Sequence, residues 1–284
     1  MHQTNRPLVV AFVDDLFFAP QIGDAARKRG FHIRFVESAE NLGPDDPDLE
    51  QAPGEPLRGQ IGALFDQLTT DIPALLLFDL ENKAVPWRDW IARLKSSPAT
   101  RRIPVLCFGR HTEVDTLARA RDAGADHVMA RSRFVQLLPE LFSKYARLPD
   151  AAGLTAACEE ALSPSGLRGI ELFNAAEYFE AHEALELAWN EDDSPARELY
   201  RAILQVAVAY LQIERQNYNG AAKMFLRLQQ WINPLPDRCR GVDVAQLRAD
   251  VRAVRARLKE LGPQRIADFD RRLFNLIVHR PAPQ

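Results

Sequence analysis

Hydrophobic and polar residues follow different patterns in the two halves of this 284-residue chain. The first half contains short apolar runs separated by amphipathic stretches; the runs are 8–13, 32–36, 74–78, 103–108 and 127–130. Runs that are apolar throughout are typical of parallel strands that are covered on both faces. The stretches between and after them predict helices, at 19–30, 57–70, 87–96, 112–123 and 132–147. Five strand–helix units in succession predict a doubly wound α/β domain with a five-stranded parallel sheet.

The pattern changes after about residue 147, where strand signals end and the periodic segments have helical spacing. Proline, glycine and serine residues indicate a linker that contains one short helix near 154–162. Farther on, apolar residues at steps of three and four predict an amphipathic helix that Asp243 caps and Gly262-Pro263 ends. We find no internal repeat in this half of the sequence.

These patterns predict a fold of class α/β plus all-α. We expect an α/β domain over residues 1–147, a linker over 148–166 and an all-helical domain, a helical bundle, over 167–284. The segment from Gly43 to Gly59 is rich in proline and acidic residues, and we interpret it as a mobile surface insertion before the second helix.

Composition limits the classes of function. Hydrophobic residues make up 46% of the chain and charged residues 26%, as in an ordinary soluble protein. The net charge is −3, and each half is close to neutral, so we expect no nucleic-acid partner. No stretch reaches the roughly 20 apolar residues of a membrane span. The three cysteines, Cys107, Cys158 and Cys239, form no CxxC pair, and we expect no disulfide framework and a cytoplasmic location.

Three carboxylates follow the predicted strands of the first half. Asp14 and Asp15 come directly after the first strand, and Asp79 comes directly after the third. In a flavodoxin-like sheet these strands are neighbours, and ligands bind beyond their carboxyl ends. Clustered carboxylates repel one another unless a proton or a cation neutralises them, and oxygen ligands suit Mg²⁺. Taken singly, each acid is also compatible with a solvated loop.

With these motifs, residues 6–147 resemble the receiver domain of bacterial response regulators. The matching stretches are VVAFVDD, LLLFDL, IPVLCFG and DAGADHVMAR. The resemblance implies that Asp14, Asp15 and Asp79 hold Mg²⁺ and that Asp79 accepts a phosphoryl group, with a sensor kinase as partner. It also implies a homodimer that pairs through the helices predicted at 112–123 and 132–147.

Two switch positions depart from the receiver pattern. Receivers usually have Thr or Ser where this chain has Gly109, and a Lys-Pro pair where it has Arg131-Ser132. Gly109 offers no hydroxyl to a phosphoryl group. Arg131 can supply positive charge, but its planar guanidinium does not replace a compact ammonium group in a tight pocket.

The segment 172–190 has the highest density of candidate chemistry in the second half. A spacing of three and four predicts one shared helical face, with His182 and Glu186 one turn apart; its residues are Leu172, Ala175, Phe179, His182, Glu186 and Trp189. A histidine and a glutamate at this spacing can ligate a metal or act as acid and base.

A central apolar helix is predicted at 198–217. Its polar residues Arg201, Gln205 and Gln212 form one stripe, which we expect to face His182 and Glu186. We expect a closed, hydrogen-bonded network of His182 with Glu186 and Gln205 that carries no chemistry, and an open metal site is the alternative.

Residues 165–235 resemble the helical family called domain of unknown function 309, through ELFNAAEYFEAHEALELAW, ILQVAVAY and QNYNGAAKM. Members have been labelled predicted metal-dependent hydrolases. The resemblance implies candidate catalytic or metal-binding roles for His182, Glu183, Glu186 and Gln205. Members often have a second histidine in the central helix, where this chain has Gln212, and glutamine is a poor ligand for Zn²⁺-type ions.

Two hypotheses of function follow. The first is a bacterial signalling protein in which a degenerate receiver is joined to a helical domain that binds a protein partner or a small ligand. The alternative is a metal-dependent hydrolase in the helical domain that uses His182 and Glu186.

Overall fold

The computed structural model describes residues 6–44 and 56–280. The chain divides into two compact units, and the division falls between Leu148 and Pro149. Most of the segment that we interpreted as a mobile insertion, Gly43 to Gly59, lies outside the described residues.

The N-terminal unit contains one parallel sheet. Its strands are β1 Leu8–Phe12, β2 His32–Phe35, β3 Leu75–Asp79, β4 Val105–Gly109 and β5 His127–Ala130. Their order in the sheet is β2-β1-β3-β4-β5, which is the flavodoxin-like order. The three central strands are almost entirely buried because their residues are apolar on both faces, whereas the edge strands β2 and β5 are partly exposed. The predicted doubly wound sheet is confirmed.

Five helices cover this sheet: α1 Ala19–Lys28, α2 Gly59–Asp71, α3 Trp87–Ser96, α4 Val114–Asp122 and α5 Arg131–Tyr145. Aromatic rings fill much of the space between the helices and the sheet. Phe12 stacks on Phe78, at a centroid distance of 4.2 Å, and Phe108 stacks on Phe134 at 4.0 Å. This packing fixes the carboxyl ends of β1, β3 and β4 relative to one another.

The second unit is mainly helical. Its helices are α6 Ala151–Cys158, α7 Pro164–Asn174, α8 Tyr178–Glu191, α9 Glu198–Glu214, α10 Tyr218–Ile232 and α11 Val244–Leu261. Asp243 caps α11 as predicted, because its side chain accepts a hydrogen bond from the Gln246 N–H. The predicted helical class of this half is confirmed, but the half is not all-helical, since β6 Arg238–Cys239 and β7 Val242–Asp243 form a small antiparallel pair.

The segment predicted as one helix over 172–190 is two helices. Helix α7 ends in a left-handed turn at Ala176, whose φ is 61°. The Ala176 N–H donates to the Phe173 carbonyl, and the Glu177 N–H donates to the Leu172 carbonyl. This is a Schellman motif, which usually has glycine in the left-handed position. The turn changes the helical phase, so the residues before and after it do not share one face.

The same turn recurs 40 residues later, between α9 and α10. Gln216 has a φ of 56°. Its N–H donates to Ile213, and the Asn217 N–H donates to Gln212, so both hydrogen bonds of the first turn are reproduced. Buried residues also correspond at this interval, namely Gly166 and Val206, Gly169 and Ala209, Ile170 and Tyr210, Phe173 and Ile213, Ala181 and Ala221, Leu185 and Phe225, and Ala188 and Leu228. The unit therefore contains two helical hairpins with the same connecting turn, a structural similarity that has no counterpart as a repeat in the sequence.

The expectation about cysteines is also wrong. Cys158 at the end of α6 and Cys239 in β6 form a disulfide across 81 residues of sequence, while Cys107 is a buried free thiol. The next residue, Arg240, is buried and binds the same region, because its N–H donates to the Cys158 carbonyl and its guanidinium pairs with Asp192 at 2.7 Å. The cysteines therefore no longer support a reducing compartment.

Within the described ranges, none of the helices combines the length and apolar character needed to cross a lipid bilayer.

Candidate functional site

The sheet places two of the predicted acids at one edge. Phe12 of β1 pairs in register with Phe78 of β3, so the residues after Phe12 leave the sheet beside Asp79, the last residue of β3. The Asp79 side chain is buried, with 1% of its surface exposed. Asp15 is partly exposed, and its Oδ1 accepts hydrogen bonds from the N–H groups of Phe17 and Phe18 at 3.0 Å. Asp14 is exposed and has no side-chain partner among the described residues.

Arg131 joins these acids, since it is the first residue of α5 and follows β5 directly. Its guanidinium donates to Asp79 Oδ2 at 2.5 Å and to Asp15 Oδ2 at 3.2 Å. It also pairs with Glu81 Oε2 at 2.9 Å. A guanidinium has five N–H donors and stays charged in proteins, so a single side chain can neutralise several carboxylates.

Aromatic rings border the same guanidinium. The Arg131 carbon Cζ lies 5.3 Å from the ring centroid of Phe18 and 5.6 Å from that of Phe108. Both distances are within the range of a cation–π attraction. The guanidinium is therefore held by carboxylates and bordered by rings. We call Arg131, Asp15, Asp79 and Glu81 the arginine cluster.

The environment shifts the pKa values of the cluster in different directions. Burial raises the pKa of Asp79, and this effect exceeds the lowering by the Glu81 N–H and by Arg131. Burial also acts to raise the pKa of Asp15, but the N–H groups of Phe18 and Phe17 and the Arg131 guanidinium outweigh it, so this pKa is lowered. Burial acts to lower the pKa of Arg131, while the charges of Asp79 and Glu81 raise it above its ordinary value. Arg131 therefore stays protonated.

The arrangement does not fit the Mg²⁺ ion that the resemblance implies. Arg131 already donates hydrogen bonds to Oδ2 of Asp15 and to Oδ2 of Asp79. A bound Mg²⁺ would also lie beside a fixed positive charge and be repelled by it. In the described part of the chain, no set of three or more His, Cys, Asp or Glu side chains is arranged to hold a metal ion.

Gly109 ends β4 at the position where receivers usually have a hydroxyl. A Cβ atom added there would lie 3.3 Å from the Cβ of Leu80 and 3.7 Å from a methyl carbon of Leu117. This spacing is tight, so a Thr or Ser side chain would need Leu80 to move. Close packing accounts for the glycine, and the protein supplies no side-chain hydroxyl at residue 109.

The candidate residues of the helical unit do not form the buried network that we expected. The buried face of α8 consists of Tyr178, Ala181, Leu185 and Ala188. Glu183 and Glu186 are exposed, and His182 is half-buried. None of these three has a side-chain hydrogen bond or ion pair within the described residues.

The central helix supplies no partner for them. Within the part of the chain that the structure describes, the Gln205 Oε1 atom is buried without a hydrogen-bond partner. The Gln212 Oε1 atom accepts a hydrogen bond from Asn217. The prediction of a closed network with Glu186 and Gln205 is therefore wrong. Roles in metal binding or hydrolysis for His182, Glu183, Glu186 and Gln205 stay predictions.

Sequence reasoning missed part of the arginine cluster. It singled out Asp15, Asp79 and Arg131, but not Glu81, which binds Arg131 and also pairs with Arg110 at 2.5 Å. Glu81 lies two residues after Asp79, so its position just beyond a central strand was the signal available in the sequence.

The N-terminal unit is thus a receiver-like α/β fold in which an arginine lies within the acidic cluster. Residues 167–224 match the family described as domain of unknown function DUF309. The predicted arrangement, a receiver-like unit followed by a DUF309 domain, is confirmed by the strand order and this match. No curated protein matches the chain.

Solved structures similar to the N-terminal unit include three response regulators. A receiver domain from Rhodospirillum rubrum is 21% identical, with a TM-score of 0.37, and the match covers 50% of this chain and 97% of that one. RPA3017 of R. palustris, a response regulator in red light signalling, is 18% identical, with a TM-score of 0.36 and coverage of 50% and 98%. The phosphorylated cyanobacterial phytochrome response regulator RcpA is 14% identical, with a TM-score of 0.36 and coverage of 49% and 94%. At these low values the assignment of the fold rests on the strand order.

Proposed function

We propose that this chain is a regulatory protein of a bacterial signalling system whose receiver-like unit works without phosphorylation. In this proposal the arginine cluster fixes the carboxyl edge of the sheet in one state. The receiver-like unit then serves as a docking or dimerising platform, and the helical unit binds a partner. The observation that carries the proposal is the contact of one guanidinium, Arg131, with Asp15, Asp79 and Glu81.

The surroundings of Asp79 support this proposal. An acyl phosphate forms when a carboxylate oxygen attacks a phosphorus atom, so the oxygen must be accessible to the phosphodonor. Asp79 Oδ2 accepts from Arg131, and Oδ1 accepts from the Glu81 N–H at 3.0 Å. Both oxygens are engaged and the side chain is almost fully buried. Attack would require the loss of a short, charge-assisted hydrogen bond.

The proposal keeps the two partners that the sequence predicts, a sensor kinase and a second copy of the chain. A sensor kinase would bind the receiver-like unit without phosphoryl transfer to Asp79. A homodimer would pair through α4 and α5, where Val114 and Val135 are exposed apolar side chains. Such side chains favour association when they lie on one surface.

Intact-mass measurement tests the proposed function. The full chain is incubated with Mg²⁺ and a small acyl phosphate donor, beside an Asp79→Asn variant as the control. We expect no added phosphoryl mass on either protein. One phosphoryl group on the wild type, absent from Asp79→Asn, would overturn the proposal and restore the role in phosphorylation that the resemblance implies.

A further inference from the structure

The outward face of α8 contains two exposed apolar side chains. Phe179 is 52% exposed and Leu187 is 51% exposed, although the helix buries a complete apolar face on its other side. The two residues are eight positions apart, which is about 12 Å along a helix axis. Single exposed apolar residues are ordinary, but two on one face form an apolar strip that the fold of the unit does not cover.

Carboxylates surround this strip. Glu180, Glu183 and Glu186 are exposed and step by three along the same side of the helix. None of them has an ion pair among the residues that the structure describes. We call Phe179, Glu180, Glu183, Glu186 and Leu187 the α8 face.

The charges of the α8 face are unfavourable for an isolated helix. Like charges three positions apart repel each other. Glu180 lies in the first turn of α8, where the helix dipole favours a carboxylate, so the unfavourable contribution is the repulsion among the three side chains. A positively charged partner would relieve this repulsion.

The second hairpin shows that the architecture does not require this pattern. At the interval of 40 residues, the α10 positions that correspond to the three glutamates are Gly220, Lys223 and Leu226. The positions that correspond to Phe179 and Leu187 are Asn219 and Arg227. Both helices follow the same turn and bury the positions of Ala181, Leu185 and Ala188. The α10 residues at the positions of the α8 face are partly buried and none of them is acidic, so the exposed acidic and apolar character of the α8 face is specific to the first hairpin.

We infer that the α8 face docks a basic amphipathic helix of a partner protein. The inference rests on the proposed function, because it names the partner that the helical unit would bind. Two apolar side chains of the partner, about two turns apart, would pack on Phe179 and Leu187, while its lysine or arginine side chains pair with the three glutamates. Anionic polymers and anionic membranes would be repelled by the same carboxylates.

Peptide binding to the full-length protein tests this inference. The probe is a fluorescent, roughly 18-residue peptide of leucine and lysine, with leucine at the a and d positions of a heptad pattern. The control peptide has glutamate in place of lysine. Anisotropy is measured for the wild type, for a triple variant with Glu180→Gln, Glu183→Gln and Glu186→Gln, and for a double variant with Phe179→Ala and Leu187→Ala.

We expect the wild type to bind the lysine peptide and not the glutamate peptide. The triple glutamate variant should bind the lysine peptide about tenfold more weakly than the wild type. The double variant that lacks both apolar side chains should bind it about thirtyfold more weakly. A matched variant removes three exposed carboxylates elsewhere, through Glu140→Gln, Glu159→Gln and Asp268→Asn, and should bind as the wild type does.

The inference is overturned if the wild type does not bind the lysine peptide or if the matched variant is weakened as much as the triple variant. It is also overturned if sedimentation shows self-association that the triple variant abolishes, since the occupant would then be a second copy of this chain. A phosphoryl adduct on Asp79 would overturn the proposed function without changing peptide binding. Loss of peptide binding would overturn the docking inference without affecting the proposed role of Arg131. The two experiments therefore distinguish failure of the inference from failure of the proposed function.

Discussion

Two groups of carboxylates in this protein have opposite environments. In the receiver-like unit, Asp15, Asp79 and Glu81 are brought to one edge of the sheet and bound by Arg131. On α8, Glu183 and Glu186 are exposed and unpaired among the described residues. Asp15 and Asp79 in the first group and both glutamates of the second group were predicted from the sequence as candidates for metal binding.

The difference shows what decides whether acids converge. The ends of adjacent parallel strands meet whatever residues they contain, so acids placed there are forced together and need a counter-charge. Residues on one helix meet a partner only if the phase of the helix turns them inward. The turn at Ala176 sets that phase for α8 and leaves its glutamates outside.

The largest expected effect comes from removing the counter-charge. In Arg131→Ala, the buried Asp79 loses its charged partner, and the free energy of unfolding should fall by roughly 3 kcal/mol. Denaturant unfolding measures this change. Arg110→Ala is the control, because Arg110 pairs with Glu81 in the same cluster but is 67% exposed, and it should cost less than about 1 kcal/mol. Equal losses in the two variants would contradict the special position of Arg131.

Replacement of the candidate histidine should have a smaller effect on the free energy of unfolding. His182 is half-buried and has no side-chain partner in the described chain, so His182→Ala should lower the free energy of unfolding by about 1 kcal/mol. Glu186→Gln should change it by less than about 0.5 kcal/mol, because Glu186 is exposed. A loss in either variant as large as that of Arg131→Ala would show that α8 belongs to a closed network after all.

The two turns that set the helical phases should gain stability from glycine. Ala176 and Gln216 have positive φ values, which glycine adopts without steric cost. Ala176→Gly and Gln216→Gly should each raise the free energy of unfolding by about 0.5 kcal/mol, from denaturant midpoints. Ala175→Gly, one residue earlier at a φ of −83°, is the control and should be destabilising. Destabilisation by all three substitutions would contradict the left-handed turns.

The smallest effect is a separation of pKa values within the arginine cluster. Asp79 should titrate above the ordinary carboxyl pKa of 3.8 and Asp15 below it. The contribution of Asp79 to stability is therefore present at low pH and is lost as the pH rises through its raised pKa. That of Asp15 is present above the unfolded pKa and is lost as the pH falls through its lowered pKa. NMR titration of the carboxyl carbons measures both, and the reverse order would contradict the described burial.

Much of the N-terminal unit was predictable because its signals are local. Continuous apolar runs marked all five strands, and the strand order then placed Asp15 and Asp79 together. The sequence could not show which of two adjacent acids turns inward, and Asp14 turns outward. The sequence indicated the charge of Arg131, but the bridging geometry depends on how its side chain reaches from the end of β5 to the end of β3, which is a tertiary property.

The helical unit was less predictable for identifiable reasons. The left-handed position after a helix is usually occupied by glycine or asparagine, which can be recognised in a sequence. This chain has Ala176 and Gln216 at these positions. Without that signal two helices were read as one, and the face of His182 was assigned wrongly. The disulfide partners Cys158 and Cys239 are 81 residues apart, and their approach depends on the packing of α6 against β6.

A double-mutant cycle between Arg131 and Asp79 measures the strength of the interaction that holds the arginine cluster together. The free energy of unfolding is measured for the wild type, Arg131→Met, Asp79→Asn and the double variant, where methionine keeps most of the side-chain volume and asparagine keeps the shape of the acid. We expect a coupling energy of about 2 kcal/mol, so that the second substitution costs much less once the first is present. A coupling near zero would contradict the claim that Arg131 is the counter-charge of this acidic cluster.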